Sequence, residues 1–393
     1  MMHGNSALVR LRMSVTSAAF SSALLARATL AHAQPVHSGA DRGDAGPAGF
    51  ADLVEKVGPA VIGVSATVVA ADDDNSPGHS LGPDGSDQDM PGQVVPGPGR
   101  RGGGNMPKPT EMTSIGSGFF ISADGYAVTN NHLLAGSDTA DVRTNDNKVY
   151  KAKVLGKDSV SDLALLKVDG RIDFTYVKFA DQPLRAGDWV LAAGNSFGLG
   201  NTFNAGIVSA RARDLETGPS EDFVQIDARI NRGDSGGPSF NVHGEVIGVN
   251  SMIVSPSGGS VGVAFAIPAD TVKTVVPQLK EKGAVTRGWM GAEVQSVTPD
   301  IAESLGVNNQ RGAVVVGVQN GGPAAKAGLK RGDVITSVND EPIKSANELT
   351  KKVYAAAPGS SVKLAMVRDN APNSLNVTVG KLAQSQAPAG LPK

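Results

Sequence analysis

The segment that most constrains the fold of this chain is 225–238, which reads QIDARINRGDSGGP. Its serine, Ser235, has small neighbours that let the backbone turn sharply and leave the hydroxyl exposed. Such a turn can form an oxyanion hole from the backbone of Gly233, Asp234 and Ser235, with the Gly233 and Ser235 amides aimed at one point. Because a serine hydroxyl alone is a weak nucleophile, this interpretation requires a base and a group that orients the base.

Two other interpretations of this segment exist. Gly-Asp-Ser-Gly is also ordinary turn sequence, since Gly supplies positive φ and Asp and Ser bond to nearby backbone. The segment also fits the G-x-S-x-G turn of α/β-hydrolases, whose acid and then histidine follow the serine. The one histidine after Ser235 is His243, in the predicted hairpin turn Asn241–Gly244. Because no acid-then-histidine pair can be placed after Ser235, the order of residues excludes the α/β-hydrolase interpretation.

A histidine and an aspartate upstream complete the required set. His132 follows a predicted hairpin of two strands, and Asp162 begins an apolar strand. Each of the two, taken alone, is more often structural than catalytic. The order His132, Asp162, Ser235 is that of chymotrypsin-type proteases. It predicts a mostly β fold, a double β-barrel in which the first barrel supplies the histidine and aspartate and the second supplies the serine.

Composition agrees with a β-rich enzyme. The chain of 393 residues has 49 glycines and 4% aromatic residues, which favours short strands and turns over a helical bundle. No cysteine is present, which excludes disulfides, thiolate catalysis and cysteine-ligated metals. The net charge of −2 gives no indication of nucleic-acid binding. We expect no cofactor and no metal.

The N-terminal residues 1–33 predict an export signal. They combine a basic start, a small and mostly apolar run over Met13–Ala26, and the cleavage-like Ala31-His-Ala33. The alternative is a disordered or membrane-tethering tail, but a cleaved signal fits better. We expect 34–49 to be mobile, and no later stretch reaches the roughly 18 apolar residues of a membrane span.

The protease domain is predicted over 50–280, interrupted by a disordered Gly/Pro/Asp-rich loop at 71–109. Its predicted elements are a helix at 50–57, strands at 60–69, 115–121, 126–129, 140–143, 149–155 and 163–168, and a closing helix at 271–279.

Several motifs together resemble the Deg/HtrA family of serine endopeptidases. They are Val128–His132, Ser161–Val168, Gly194–Gly200, Gly206–Ala210, Ile230–Pro238 and Ile253–Pro268. The resemblance covers about 50–382 apart from the inserted loop. It implies a periplasmic, ATP-independent protease that degrades misfolded proteins, forms trimers or multiples of trimers, and also acts as a chaperone. Asp234, Ser196 and Arg229 depart from the residues usual in the family, and none of the three removes a catalytic group.

After a linker at 281–287, residues 288–382 resemble an α+β PDZ domain of the same family, followed by a flexible tail at 383–393. The resemblance is carried by Arg287–Val294, Gly321–Leu329 and Arg331–Asn339. It implies that the loop Trp289, Met290, Gly291, Ala292 presents amides to a C-terminal carboxylate and that the strand after it pairs with the bound peptide.

The resemblance also assigns specificity and regulation. It implies that Ile230 lines the primary substrate pocket, which favours small aliphatic residues. It implies that Arg213, in a polar loop expected at 211–222, contacts the catalytic loop and reports occupancy of the PDZ domain. We expect Arg229 to lie on the face opposite Ile230, by strand alternation.

Three functions are compatible with these features. The leading hypothesis is an exported serine endopeptidase that acts on unfolded polypeptides and recognises exposed C-termini. The second is a proteolytically weak chaperone or peptide-binding adaptor on a protease scaffold, which the complete set of three residues argues against. The third is a small-molecule esterase, which the peptide-binding second domain disfavours.

Overall fold

The computed structural model describes residues 49–69, 95–96, 111–134, 136–195, 200–213, 222–256, 259–304 and 311–383. The predicted export signal, nearly all of the 34–49 segment, most of the 71–109 loop and the tail from 384 onward lie outside the described residues. None of the described helices is long and apolar enough to cross a membrane.

The first barrel has six antiparallel strands in the order β1-β5-β6-β7-β4-β3, closed by pairing of β1 with β3. Helix α1 (Ala51–Val57) precedes it. The strands are β1 (Val61–Val69), β2 (Val95–Pro96), β3 (Glu111–Phe120), β4 (Tyr126–Asn130), β5 (Thr139–Arg143), β6 (Val149–Asp158) and β7 (Leu163–Val168). Strand β2 pairs with β3, so Val95–Pro96 is ordered although it lies within the predicted disordered loop.

The second barrel is also closed and has the order β10-β13-β12-β11-β8-β9. Its strands are β8 (Trp189–Gly194), β9 (Thr202–Arg213), β10 (Phe223–Ile226), β11 (Pro238–Phe240), β12 (Val246–Ile253) and β13 (Ala264–Pro268). The prediction that a loop begins at Arg211 is wrong, because β9 continues to Arg213, which pairs with Phe223. Pairing with β10 holds these last residues in the sheet despite their polarity.

One apolar core joins the two barrels. Phe119 and Leu165 from the first barrel pack with Phe240 and Val249 from the second, and all four are buried. Helix α2 (Ala269–Lys282) covers this core with Val272, Val275 and Leu279. Fully burying one such side chain stabilises a fold by about 1.5–3 kcal/mol. The shared core therefore fixes the two barrels against each other, and the candidate catalytic residues lie on different barrels.

A smaller domain follows α2 and has its own core. Its strands are β14 (Gly288–Trp289), β15 (Ala292–Ser296), β16 (Ala313–Val318), β17 (Val334–Val338), β18 (Glu341–Pro342), β19 (Ser361–Arg368), β20 (Ala371–Thr378) and β21 (Gly380–Lys381). Its helices are α3 (Pro299–Ser304), α4 (Pro323–Lys326) and α5 (Ala346–Ala355). Strands β15-β16-β17-β19-β20 form the main sheet, and α5 packs on it through Leu349 and Val353. The Ser345 hydroxyl caps α5 by accepting the Glu348 amide.

A buried ion pair anchors the junction between the barrels and the smaller domain. Helix α2 ends two residues beyond the predicted domain boundary, at Lys282, and is capped by Gly283 in the left-handed conformation. Arg287 then donates two hydrogen bonds, of 2.6 and 2.7 Å, to the carboxylate of Asp158 at the end of β6. The two side chains are only 11% and 8% exposed. The connection is therefore held by a specific bidentate contact.

Candidate active site

The histidine and aspartate predicted from the sequence form a pair in the first barrel. His132 begins the short 3₁₀ turn that follows β4, and Asp162 lies immediately before β7. His132 Nδ1 lies 2.7 Å from Asp162 Oδ2, and the His132 amide donates to Asp162 Oδ1 at 2.9 Å. A carboxylate bonded to Nδ1 fixes the imidazole tautomer and leaves Nε2 as the nitrogen that can accept a proton.

The backbone around Asp162 is held in an unusual conformation. Its φ is +53°, in the left-handed region that few residues other than glycine, asparagine and aspartate adopt. Its carbonyl accepts hydrogen bonds from the Asn131 amide at 3.0 Å and from Asn130 Nδ2 at 2.9 Å. These bonds tie β4 to the start of β7, so the aspartate is presented to His132 by two strands.

The turn that carries Ser235 lies in the second barrel, between β10 and β11. Gly233 has φ +95° and Gly236 has φ +85°. The Asp234 amide donates to the Asn231 carbonyl at 3.0 Å, so it is not available to an oxyanion, and its inclusion in the predicted hole is wrong. The Gly233 and Ser235 amides have no acceptor among the described residues. These two amides are therefore the available donors.

Ser251, on β12, connects the serine to the aspartate. Its carbonyl accepts a hydrogen bond from Ser235 Oγ at 3.2 Å, and its hydroxyl lies 3.5 Å from Asp162 Oδ2. Within the described part of the chain, Ser235 Oγ makes this bond and none to His132. Ser251 thus links the serine hydroxyl to the aspartate of the pair, and catalytic hydrogen bonds such as that between Ser235 and His132 commonly form only when substrate binds.

The residue expected to line the substrate pocket is buried. Ile230 is 2% exposed and packs in an apolar cluster of the second barrel with Ile226, Val208 and Ala264. Arg229 is exposed and has no ion-pair partner among the described residues. As expected, Arg229 is exposed where Ile230 is buried. Strand alternation is not the reason, because residues 227–237 form an irregular segment and not a strand.

The loop predicted to bind a carboxylate lies between β14 and β15. The Met290 carbonyl accepts from the Ala324 amide at 2.7 Å, and the Gly291 carbonyl accepts from the Gln319 amide at 2.9 Å. Gly291 has φ +72°, and its peptide packs against the Trp289 ring. The amides of Met290 and Gly291 have no acceptor within the described residues. Ala292 begins β15, the strand expected to pair with a peptide.

Sequence reasoning missed residues that support the site. Ser117, Thr129 and Asn130 from the first barrel and Ser239 and Asn250 from the second are buried polar residues around the catalytic turn. The Ser117 hydroxyl donates to the Gly233 carbonyl at 2.5 Å. The partners are far apart in the sequence, so the signal that could have indicated Ser117 is its position between two glycines in a predicted core strand.

Two β-barrels that bring a histidine–aspartate pair and a glycine-rich serine turn to their junction define a trypsin-like hydrolase. Comparison with known proteins agrees. The chain matches the family models for a trypsin-like peptidase domain over residues 116–249 and for a PDZ domain over residues 288–379.

Similar proteins include the probable periplasmic serine endoprotease DegP-like of Brucella suis, which is 47% identical over 362 residues, covering 87% of this chain and 71% of the relative. The protein of the same name from Rhizobium meliloti is 52% identical over 278 residues, covering 70% and 55%. A solved HtrA-type protease AlgW with decapeptide superposes with a TM-score of 0.69 and 36% identity, covering 85% of this chain and 99% of that one.

The chain belongs to the Deg/HtrA family and is a serine endoprotease with one trypsin-like domain and one PDZ domain. The alternative of a proteolytically weak chaperone or adaptor is not favoured, because the relatives are named as endoproteases.

Proposed function

We propose that this protein cleaves misfolded or unfolded exported polypeptides in the periplasm without ATP, with Ser235 as nucleophile, His132 as general base and Asp162 as the group that orients the base. The proposal is supported by the 2.7 Å His132–Asp162 pair and the half-buried Ser235, which Ser251 links: its carbonyl accepts the Ser235 hydroxyl and its own hydroxyl lies 3.5 Å from Asp162. The similar proteins of Brucella suis and Rhizobium meliloti are named as periplasmic, which supports the compartment.

The reaction follows from these groups. Rotation about the Ser235 Cα–Cβ bond moves the hydroxyl from the Ser251 carbonyl to His132 Nε2. Oγ then attacks the scissile carbonyl carbon while Nε2 takes its proton, and the oxyanion binds the Gly233 and Ser235 amides. The C–N bond breaks, and Nε2 returns the proton to the leaving amine. Water, deprotonated by the same nitrogen, hydrolyses the acyl-enzyme and regenerates Ser235.

The PDZ domain captures exposed C-termini of substrates. The Met290 and Gly291 amides, which have no acceptor in the described domain, bind the terminal carboxylate, and Trp289 and Ala292 flank them. Strand β15 then pairs with the peptide backbone. Arg213 lies where β9 meets the loop before β10, and it transmits occupancy of the PDZ domain to the catalytic turn. The working form is a homotrimer or a multiple of it, and it also has chaperone activity.

Degradation of reduced, unfolded casein by the mature protein tests the proposal, run beside Ser235→Ala and His132→Ala. Both variants are expected to bind a C-terminal peptide normally and to lose roughly 10⁴- to 10⁶-fold in kcat, because the residues act as a unit. Substantial cleavage by Ser235→Ala would reject the nucleophile. A peptide with a free C-terminus should stimulate the wild type, and equal stimulation by its amide would reject carboxylate capture.

A further inference from the structure

We infer that Ser117 is a positioning residue for the oxyanion hole: its side chain and backbone hold the catalytic turn from the opposite barrel. The inference deepens the proposed function and rests on Ser235 being the nucleophile. Ser117 lies on β3 of the first barrel and is completely buried.

Ser117 contacts the turn at two points. Its hydroxyl donates to the Gly233 carbonyl at 2.5 Å, and its amide donates to the Ser235 carbonyl at 2.8 Å. Between these two carbonyls, the Asp234 carbonyl accepts the Gly237 amide at 3.0 Å. Three consecutive carbonyls are therefore fixed. The Ser235 amide belongs to the middle one of these three peptide groups, so it is held pointing away from the Asp234 carbonyl, since a peptide group is planar and trans.

The Ser117 hydroxyl has one orientation available. It accepts a hydrogen bond from the Asn195 amide at 2.6 Å, which leaves its single proton for the Gly233 carbonyl. The Ser117 carbonyl in turn accepts the Thr129 hydroxyl at 2.6 Å. Every polar atom of Ser117 therefore makes a hydrogen bond. Together these bonds fix Ser117 between its neighbours in the first barrel and the catalytic turn in the second.

Strand β3 and the catalytic turn are closely packed around these hydrogen bonds. A Cβ on Gly236 would lie 2.2 Å from the Ser117 carbonyl oxygen, and a Cβ on Gly116 would lie 2.3 Å from the Leu133 side chain. The turn and the strand therefore meet backbone to backbone. Loss of the hydroxyl leaves the Gly233 carbonyl with no donor in the described part of the site, so the Gly233–Asp234 peptide group, which lies between the two donor amides, is held only through its Asp234 amide. The Gly233 and Ser235 amides then lose part of the constraint on their relative orientation.

The test is Ser117→Ala, assayed with a peptide taken from a casein site that the wild type cleaves. Removing a whole oxyanion donor in a serine protease costs about 10²- to 10³-fold in kcat, so loosening the donors is expected to cost about 10- to 100-fold. KM should change by less than about twofold, because substrate binding in the ground state does not use the hole.

A second readout separates this role from simple loss of structure. A peptide aldehyde of the same sequence adds to Ser235 Oγ as a hemiacetal whose oxygen occupies the hole. Its inhibition constant should rise by the same factor by which kcat falls. Thr144→Val is the control, because Thr144 is also buried and its hydroxyl bonds the Lys148 carbonyl at 3.1 Å within the turn between β5 and β6, without contacting the catalytic turn.

Several results would overturn the inference: an unchanged kcat in Ser117→Ala, an aldehyde affinity that does not follow kcat, or an equal loss in Thr144→Val. All rates are taken per folded molecule, from thermal unfolding measured on each sample. Ser235→Ala is run in the same assay. If that variant retains activity, the proposed nucleophile is wrong, whereas an inactive Ser235→Ala with a fully active Ser117→Ala rejects only the role of Ser117.

Discussion

Gly236 shows how little volume is available around the nucleophile. It has φ +85°, and an added Cβ would lie 2.2 Å from the Ser117 carbonyl oxygen and 2.6 Å from Thr129 Oγ1. Gly359, in the PDZ domain, has the similar φ of +88° but no atom within 4 Å of its Cβ position. Comparison of the two positions separates backbone strain from steric overlap.

We predict that Gly359→Ala lowers the free energy of unfolding by about 1–2 kcal/mol, the cost of a left-handed residue with a Cβ, and leaves activity unchanged. Gly236→Ala should cost several kcal/mol more and abolish casein cleavage, since the turn must move. Urea unfolding and casein assays on both variants measure this. Equal costs at the two positions would contradict the packing described for the turn.

Substrate preference is the second property that depends on single residues. Ile230 offers a buried, branched and apolar side chain, and Arg229 beside it is exposed. We propose that Ile230 lines the substrate pocket, where a buried charged side chain without a partner would cost several kcal/mol, so Val and Ala should dominate the residues before the cleaved bond.

Mass-spectrometric mapping of casein fragments tests this expectation. The distribution should broaden to larger apolar residues in Ile230→Ala and stay the same in Arg229→Ala. A majority of acidic residues before the cleaved bond, lost in Arg229→Ala, would show that the Arg229 guanidinium enters the pocket.

At the scale of secondary-structure elements, the connection from α2 to β14 depends on one ion pair. Arg287 and Asp158 are almost fully buried, whereas Arg185 and Asp188 form an exposed pair with side chains 69% and 31% exposed. Removing one partner of a buried pair costs about 3–5 kcal/mol, because the other charge stays buried. An exposed pair contributes about 0–1 kcal/mol.

We therefore predict that Arg287→Ala separates the unfolding of the two domains and Arg185→Ala does not. The chain has two tryptophans. Trp189 lies on β8 of the protease domain and Trp289 on β14 of the PDZ domain. With Trp189→Phe as background, fluorescence follows the PDZ domain alone. The urea concentration at the midpoint of PDZ-domain unfolding should be lower in Arg287→Ala. An unchanged midpoint would show that the ion pair does not couple the two domains.

Helix α5 has a pH-sensitive contact at the same junction. Burial raises the pKa of Tyr354, whose ring lies 5.9 Å from the Arg287 guanidinium. Because the folded-state pKa is raised, the folded protein loses stability relative to the unfolded chain as pH rises above about 10, the ordinary tyrosine value. Tyr354→Phe should reduce this alkaline loss. Thermal unfolding between about pH 9 and 11 measures the difference.

For the whole molecule, the sequence predicted the two barrels, the PDZ domain and the histidine–aspartate pair because each follows from local patterns or from residue order. The apolar spacing predicts a strand over 334–338 and a helix over 346–355, and β17 and α5 have these bounds, since such spacing is a local property of the sequence. The end of β9, the short β2 and the role of the Asp234 amide were not predictable, because each depends on pairing or turn geometry set by distant residues.

The contacts that hold the site together were the least predictable part. Ser117 and Gly233 are 116 residues apart, and Arg287 and Asp158 are 129 residues apart. Their side chains are common types in ordinary positions, so only the three-dimensional fold brings them into contact. The residues that react can be recognised from chemistry and order, whereas the residues that position them require the structure.

The proposed mechanism requires that Ser235 is a nucleophile activated by His132. The most direct measurement is labelling of the native full-length protein with diisopropyl fluorophosphate, in which a serine oxygen displaces fluoride from phosphorus. Peptide mass spectrometry should find one phosphorylated site, Ser235, and labelling should fall by orders of magnitude in His132→Ala and after denaturation. Labelling of a different serine, or labelling of Ser235 at the same rate in His132→Ala, would contradict the account.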